Sequence, residues 1–331
     1  MEKGLVSVIT PCYNGEKFIE QYVNSLLTQK YKKLEIIFVN DGSVDSSEEL
    51  ILTAKQRLIN EGYSFKYFKI ENQGAASACN YALKHITGEY IILFDIDDIL
   101  LPEAISIKVE FLNKNLEYGI IRNNGYFVSA DDPNVNLKSF IQGYETKEEE
   151  SLFEDLLYGI SYNWPGSFMI RTCDFIKGNQ GLEIYCSQFG QNLQFMLPVA
   201  YVSKSYFINM YLMKYLRHEN AHSAVRTYEK MLSLYNGYME NRVEILKGMH
   251  LSEETLNQYV KEIYIRFSKI RLELAEQYHM KDDMDREYHF LKNKKRLSFR
   301  ERKEYYFSRY AFLRRIAKIK NEVMRKKKYV E

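Results

Sequence analysis

Short apolar runs alternate with amphipathic segments along the N-terminal third of the chain, and this alternation restricts the possible fold more than any other feature. The runs have the length and the β-branched or aromatic content of buried strands, and they occupy residues 5–10, 34–39, 65–70 and 90–94. A segment with helical spacing follows each run: residues 18–27, 46–59, 74–85, and a helix that begins at Pro102. This alternation predicts an α/β fold with a mostly parallel, doubly wound sheet.

The pattern changes further along the chain. Strands are predicted at residues 119–129, 166–171 and 201–208, with a helix at residues 191–200. Beyond Leu212 only helical periodicity remains, over residues 225–247 and 252–277, and Ser252 is a suitable cap for the second helix. We therefore predict an α/β domain over residues 1–212 and a helical C-terminal region over residues 213–331.

The cysteines and the apolar segments exclude several classes of protein. Cys12, Cys79, Cys173 and Cys186 are far apart and form no C-x-x-C pair, so neither a disulfide scaffold nor a zinc site is indicated. No run reaches the roughly 18 apolar residues of a membrane span, and the N-terminus has no signal-peptide pattern. These features favour a reducing, cytoplasmic location.

Three aspartates follow the fourth predicted strand. Alternate side chains of an extended segment point the same way, so Asp95 and Asp97 can face one ligand while Ile96 turns into the protein. Mg²⁺ and Mn²⁺ are often held by one or two carboxylates together with phosphate oxygens and water. The pattern therefore indicates a divalent metal site, although the aspartates could instead solvate a loop, and Asp98 could cap the helix at Pro102.

Other polar residues also follow predicted strands, and the carboxyl ends of parallel strands meet at one crevice. They are Tyr13, Asn14, Asp41 and Asn72. Asp41 could read a base or ribose edge, or could simply form a turn and a helix cap. The helix behind Asn72 and Gly74 would offer free N–H groups to an anion. No P-loop or G-x-G-x-x-G motif is present, which disfavours phosphate cradles of those kinds.

Together these residues resemble the family 2 inverting glycosyltransferases, which have the Rossmann-like GT-A fold, and the resemblance covers residues 4–222. The matching elements are Val8 to Asn14, Asp41-Gly42-Ser43-x-Asp45, Asn72-x-Gly74 with Asn80, Gly88 to Ile91, Asp95-x-Asp97-Asp98, and the His-containing segment Arg217 to Ser223.

The resemblance implies specific roles for these residues. Residues 1–212 would be the nucleotide-sugar-binding and catalytic domain, with Pro11, Tyr13 and Asp41 around a nucleobase that is usually uracil. Asn14, Asn72, Gly74 and Asn80 would complete the donor site. Asp95 would lie near the ribose or the metal, Asp97 would bind the metal, and His222 would be a further ligand.

The chain departs from the family pattern at two places. Cys79 stands where an Arg commonly precedes the Asn of the third helix. Gln191 and Asn192 stand where many relatives have Glu-Asp, whose aspartate is the general base, and amides cannot accept the proton of an acceptor hydroxyl. These amides could orient the acceptor or the donor sugar. The base would then be Glu183 or Asp98, or the acceptor would bring an ionised oxygen.

The C-terminal end is strongly basic. Residues 291–331 contain 16 Lys and Arg against 4 Asp and Glu, whereas the net charge of the whole chain is +2. From Tyr305 onward an apolar face recurs at helical spacing, through Phe312, Ile316, Ile319 and Val323. This face favours contact with an anionic membrane at its cytoplasmic side, with packing on the acidic body as the alternative and no nucleic-acid partner expected.

We therefore predict a metal-dependent inverting glycosyltransferase that uses Mn²⁺ or Mg²⁺ and a UDP-sugar. Its acceptor would be a surface glycan or a lipid-linked molecule. The alternatives are a glycosyltransferase with a protein acceptor and a non-catalytic nucleotide-sugar-binding or scaffold protein. A nucleotidyltransferase is disfavoured because the sequence lacks a phosphate loop near the N-terminus. Trp164 could form a wall against a sugar face or pack in the core.

Overall fold

The computed structural model describes residues 1–129, 132–217 and 227–310. These residues form two compact units. The first unit contains residues 1–217 and Glu244–Leu251, and the second contains residues 227–243 and 252–310. The sheet of the first unit continues to Arg217, five residues beyond the predicted boundary at residue 212.

The first unit is built on a mixed sheet in which the first four strands form a parallel block on one side. Its described strands are β1 Glu2–Cys12, β2 Leu34–Asp41, β3 Ser64–Ile70, β4 Gly88–Leu93, β5 Ile99–Leu100, β6 Tyr118–Ser129, β7 Asn136–Ser139, β8 Lys147–Glu148, β9 Phe168–Arg171 and β10 Lys204–Arg217. The order is β3-β2-β1-β4-β9-β6-β10-β5, with β7 beside β6 and β8 beside β10. The strands β3, β2, β1 and β4 pair in parallel, while β9 is antiparallel to both of its neighbours.

Helices connect these strands. They are α1 Ile19–Leu27, α2 Ser47–Asn60, α3 Ala75–Leu83, α4 Ala104–Lys114, α5 Leu152–Leu157, α6 Thr172–Asn179 and α7 Asn192–Val202. A buried core joins strand residues such as Val8, Ile36 and Ile92 to Tyr22 and Leu26 of α1. Burial of this apolar surface provides the main driving force for the fold.

The four N-terminal βα units predicted from the sequence are confirmed, and two predicted boundaries, one of them further along the chain, are corrected. The predicted helix start at Pro102 is wrong by two residues, because Pro102 and Glu103 form a turn in which the Ala104 N–H donates to the Leu101 carbonyl. The predicted strand start at Tyr201 is also wrong, because α7 continues through Val202.

The register of the parallel strands places their carboxyl ends next to one another. Cys12 pairs with Asn40, Asp41 pairs with Ile70, and Ile9 pairs with Leu93. The loops after β1, β2, β3 and β4 therefore leave the sheet at the same edge, where α/β proteins bind their ligands.

The second unit is helical. It contains the first part of α8 (Tyr228–Gly248), together with α9 Glu253–Tyr278, α10 Lys281–Asn293 and α11 Phe299–Arg309. The predicted cap is confirmed, since the Ser252 side chain accepts a hydrogen bond from the Thr255 N–H. None of the helices in the described ranges has the length and apolarity that crossing a bilayer requires. The predicted apolar face beyond Tyr310 lies outside the described residues.

Candidate active site

A turn at the carboxyl end of β4 brings three carboxylates together. The Phe94 N–H still donates to the Ile9 carbonyl, 2.9 Å away, and the Asp98 N–H then donates to the Asp95 carbonyl at 3.2 Å. Each of Asp95, Asp97 and Asp98 has a carboxylate oxygen within 4.8 Å of the others. The expectation of an extended segment is wrong here, and the turn is what adds Asp98 to the cluster.

In this aspartate cluster Asp98 is buried, Asp95 and Asp97 are half-buried, and the surroundings of Asp95 and Asp98 disfavour their ionisation. Burial and the neighbouring Asp97 raise the pKa of Asp95 to about 8. Burial and the other two carboxylates also raise the pKa of Asp98 well above its ordinary value. Asp98 Oδ1 accepts a hydrogen bond from the Leu216 N–H at 3.2 Å, whereas Oδ2 has no partner among the described residues. Oxygen ligands that lack internal partners are suited to a divalent cation.

Asp98 does not cap the following helix. The residue at the N-terminus of α4 is Glu103, whose side chain makes no capping hydrogen bond, and Asp98 is 1% exposed within the aspartate cluster. The capping alternative for Asp98 is therefore wrong.

Asp41 is bound to the loop that precedes α3. Its two carboxylate oxygens accept hydrogen bonds from the N–H groups of Gln73 and Gly74, each at 2.9 Å, and the side chain is buried. Gly42 allows this approach, because its φ is +73° and a Cβ there would lie 2.9 Å from the Asn72 nitrogen. The N–H groups of Gln73 and Gly74 are therefore not available to an anion, and the expectation that the following helix α3 offers its first N–H groups to an anion stays a prediction.

The loop after β1 is fastened to the loop after β2. The Asn14 N–H donates to Ser43 Oγ, and Asn14 Oδ1 accepts from the Val44 N–H, both at 3.0 Å. Pro11 is buried in β1, whereas Tyr13 is 51% exposed and Asn72 is exposed on the neighbouring loop. Tyr13 and Asn72 therefore remain accessible to a ligand. The amide oxygen and the N–H of Asn14 instead hold the loops after β1 and β2 together.

Asn80 binds a segment far away in the sequence. Its Nδ2 donates to the Ile184 carbonyl at 2.8 Å, and its Oδ1 accepts from the Ile184 N–H at 2.7 Å. Nδ2 also lies 3.2 Å from Cys186 Sγ. The Asn80 amide is therefore engaged by residues 184–186, and its donor-site role stays a prediction.

Cys79 marks the place where these segments meet. Burial raises the pKa of its thiol well above the ordinary value, and the charges of Asp95, Cys186 and Asp41 raise it further. The neighbouring Asn80 contacts Cys186, and two N–H groups just before the same helix donate to Asp41. Helix α3 therefore joins the loop after β2 to the segment containing Cys186.

The family model of glycosyl transferase family 2 matches residues 7–175. The chain belongs to this family. The relatives include an uncharacterized glycosyltransferase of Rickettsia typhi, 27% identical over 268 residues that cover 80% of each chain. Another, from Rickettsia conorii, is 41% identical over 122 residues, which cover 37% of this chain and 19% of that protein.

A solved structure supports the fold of this family 2 glycosyltransferase. Residues 1–349 of Staphylococcus aureus TarS, solved with UDP-GlcNAc, match with a TM-score of 0.61 and 20% identity, over 92% of this chain and 79% of that chain. The predicted GT-A fold is confirmed.

In this glycosyltransferase one of the two amides that replace Glu-Asp, Gln191, contacts the aspartate cluster. Gln191 Nε2 donates to Asp95 Oδ1 at 3.4 Å, and Gln191 is the N-terminal flanking residue of α7. Asn192 Oδ1 is buried without a partner in the described part of the chain. Gln191 therefore orients a carboxylate of the cluster, a contact across 96 sequence positions that no local pattern indicates.

The remaining predicted site residues are placed as follows. Trp164 stacks on Tyr162 with ring centroids 4.4 Å apart and also contacts Phe127 and Phe140, so packing occupies one face of its ring. Glu183 is exposed and lines a cavity beside α7. His222 lies outside the described residues.

Proposed function

We propose that this glycosyltransferase transfers a sugar from a UDP-sugar to a hydroxyl of a glycan or lipid-linked acceptor, with inversion at the anomeric carbon. The observation that carries the proposal is the group of three carboxylates within 4.8 Å of one another at the carboxyl end of β4. The choice of a uridine donor is supported by TarS, which has the same fold and was solved with UDP-GlcNAc.

Asp95, Asp97 and Asp98 are suited to a divalent cation, Mn²⁺ or Mg²⁺, because they offer only oxygen ligands and one buried oxygen has no partner among the described residues. Such an ion would neutralise the negative charge that develops on the departing diphosphate. We propose Asp97 and Asp95 as the principal ligands, with His222 as a further one. Gln191 would fix the orientation of Asp95 through its amide.

In this proposal the loops after β1, β2 and β3 bind the nucleotide. Tyr13 is accessible for stacking on a base, and the buried residues Pro11 and Asp41 would form the bottom of the base-binding site. Asp41 would act mainly through the loop that it holds, since both of its oxygens accept backbone hydrogen bonds. Asn14 joins the two loops that border this place.

We assign the proton transfer to Glu183. The acceptor oxygen attacks the anomeric carbon, the bond from that carbon to the β-phosphate oxygen breaks, and UDP leaves with the bonding electrons. The proton of the acceptor hydroxyl passes to the Glu183 carboxylate. Glu183 is exposed and adjacent to Ile184, which Asn80 ties to α3, whereas Asp98 is 1% exposed and belongs to the proposed metal site.

The acceptor would be reached at the cytoplasmic face of a membrane. Helix α11 carries Arg302 and Lys303, together with Arg300 and Arg309, which form ion pairs with Glu304 and Asp285. Phe299 at its start is 85% exposed. Basic and aromatic residues together favour anionic bilayer surfaces. Flotation of the full chain with phosphatidylcholine vesicles, with and without phosphatidylglycerol, tests this part; equal flotation with both would contradict it.

A thermal-shift panel of nucleotide sugars, followed by an assay of UDP release, tests the function. Ligands that bind only the folded state raise the melting temperature, so the cognate UDP-sugar with Mn²⁺ should give the largest increase. The same donor should release UDP when an acceptor glycan is added. A panel in which no uridine nucleotide raises the melting temperature, or a bound donor that never releases UDP, would contradict the proposal.

A further inference from the structure

A cavity of about 490 Å³ opens beside α7 in the first unit. Its walls come from the end of α6, residues 183–186, α7 and the last turn of α8. The volume lies within the roughly 300–1,000 Å³ typical of small-molecule sites. It is not formed by the aspartate cluster or by the loops after β1, β2 and β3, so its chemistry requires a separate explanation.

The cavity and the aspartate cluster share structural elements. Gln191 at the start of α7 donates to Asp95, and Gln194 lines the cavity three residues later, a rise of about 4.5 Å along the helix. The segment containing Ile184 and Cys186 lines the cavity and is bound to Asn80 of α3. A molecule in the cavity would therefore lie beside the segments that frame the proposed donor site.

The lining of the cavity is acidic and polar. Glu183 and Glu244 contribute carboxylates, Asn179 and Gln194 contribute amides, and no Lys or Arg of the described ranges lines it. Glu244 forms an ion pair with Lys247 at 2.7 Å, with the Lys247 side chain 55% exposed, so solvent weakens this compensation. The cavity therefore favours hydrogen-bond donors and cationic groups and disfavours anions.

Gln194 supplies evidence for a ligand that is independent of the acidic groups. Its side chain is 1% exposed, and its Nε2 donates to the Gly190 carbonyl. Its Oε1 has no partner among the described residues. A buried amide oxygen without a partner is costly unless a ligand or water donates to it.

Apolar surface completes the cavity. Tyr185 is 45% exposed, and its ring can cover the C–H face of a pyranose. Met249 is buried on the side of α8. An aromatic ring beside several hydrogen-bond acceptors matches a carbohydrate, which has an apolar face and hydroxyl donors at its edge.

We propose that this cavity binds the acceptor sugar unit, and that this unit is neutral or carries an amino group rather than a carboxylate or phosphate. The identification of the ligand as the acceptor rests on the proposed glycosyl transfer. The two glutamates accept hydrogen bonds from hydroxyl or amino groups, Gln194 forms part of the polar wall, and Tyr185 packs on the ring.

Saturation-transfer NMR on the full chain, with UDP and Mg²⁺ filling the donor site, tests the proposal with three probes. These are the methyl β-glycosides of N-acetylglucosamine, glucosamine and glucuronic acid. We expect saturation of the first two and none of the third. Tyr185→Ala should weaken the two bound probes about tenfold, and Glu244→Lys should weaken the amine by a similar factor, as loss of one charge-assisted hydrogen bond does.

Glu240→Lys is the matched control, because it introduces the same charge one turn earlier in α8 at an exposed position that does not line the cavity. It should leave all three probes unchanged. The proposal is overturned if glucuronide binds as well as the other two probes, or if Tyr185→Ala and Glu244→Lys both match the wild type. A calorimetric titration with UDP is a separate measurement. If the probes bind but UDP does not, the proposed transfer from a UDP-sugar is contradicted, whereas the proposed sugar-binding cavity is not.

Discussion

Carboxylates lie at both ends of the parallel strands β1 to β4, and their charges are compensated by the protein to very different extents. At the amino end, Glu35 accepts hydrogen bonds from Ser7 Oγ, the Thr87 and Gly88 N–H groups, and Lys66 Nζ. Burial alone would raise the pKa of Glu35, but the hydrogen bonds from Lys66, Ser7 and Thr87 lower it below the ordinary value.

At the carboxyl end, burial and mutual repulsion raise the pKa values of Asp95 and Asp98. The described partners of these two residues are the Gln191 amide and the Leu216 N–H. Glu35, whose charge is compensated within the chain, should therefore contribute to stability. Asp95 and Asp98, whose charges a ligand can compensate, should contribute to binding. Substitutions at the two ends should therefore separate stability from activity.

The largest expected effect is the loss of activity when a proposed metal ligand is removed. Asp97→Asn should lower the rate of UDP-sugar turnover by about 10³-fold or more, since electrostatic stabilisation of a leaving group contributes on that order. Turnover of the purified variant in saturating Mn²⁺ measures it. Asp282→Asn, an exposed aspartate of α10, is the matched control and should keep the wild-type rate. A loss of less than tenfold in Asp97→Asn would remove this residue from the metal site.

The next effect is on stability and should appear only at the amino end. Glu35→Gln should lower the free energy of unfolding by about 3 kcal/mol, because it leaves the partly buried Lys66 ammonium without its carboxylate. Urea denaturation measures the change. Glu48→Gln breaks the exposed ion pair with Lys69 and should leave stability unchanged. Equal stability of Glu35→Gln and the wild type would contradict the conclusion that Glu35 contributes to stability.

The difference between the two ends also separates what the sequence could predict from what it could not. The runs at β1 to β4 identify their strands, and the topological rule then places Asp41 and Asp95 at one edge. Local periodicity contains no information on partners far along the chain. It therefore missed the contact of Gln191 with Asp95, that of Asn80 with Ile184, and the insertion of β9 between β4 and β6. The short strands β5, β7 and β8 have too few residues to show a period.

A smaller effect of opposite sign should appear at the carboxyl end. Asp98→Asn removes a buried charge and keeps the acceptor for the Leu216 N–H, so it should raise the unfolding free energy of the metal-free protein by about 1 kcal/mol. Denaturation in EDTA measures this gain, and added Mg²⁺ should stabilise the variant less than the wild type. Asp45→Asn is the control: Asp45 accepts from the Ser47 and Glu16 N–H groups, so its loss should destabilise. Destabilisation by Asp98→Asn would show that its charge is compensated internally.

The smallest effect is the pH dependence of the Glu35 contribution. The folded pKa of Glu35 lies below its ordinary value of 4.5, so the folded state binds fewer protons than the unfolded state between these two pKa values. The stabilisation is therefore fully present above pH 4.5 and decreases as the pH falls through the folded pKa. The difference in unfolding free energy between the wild type and Glu35→Gln should be constant at neutral pH and should shrink in acid. A difference that instead grows on acidification would mean that the folded protein favours the protonated carboxyl, and Glu35 would then resemble Asp95 rather than contrast with it.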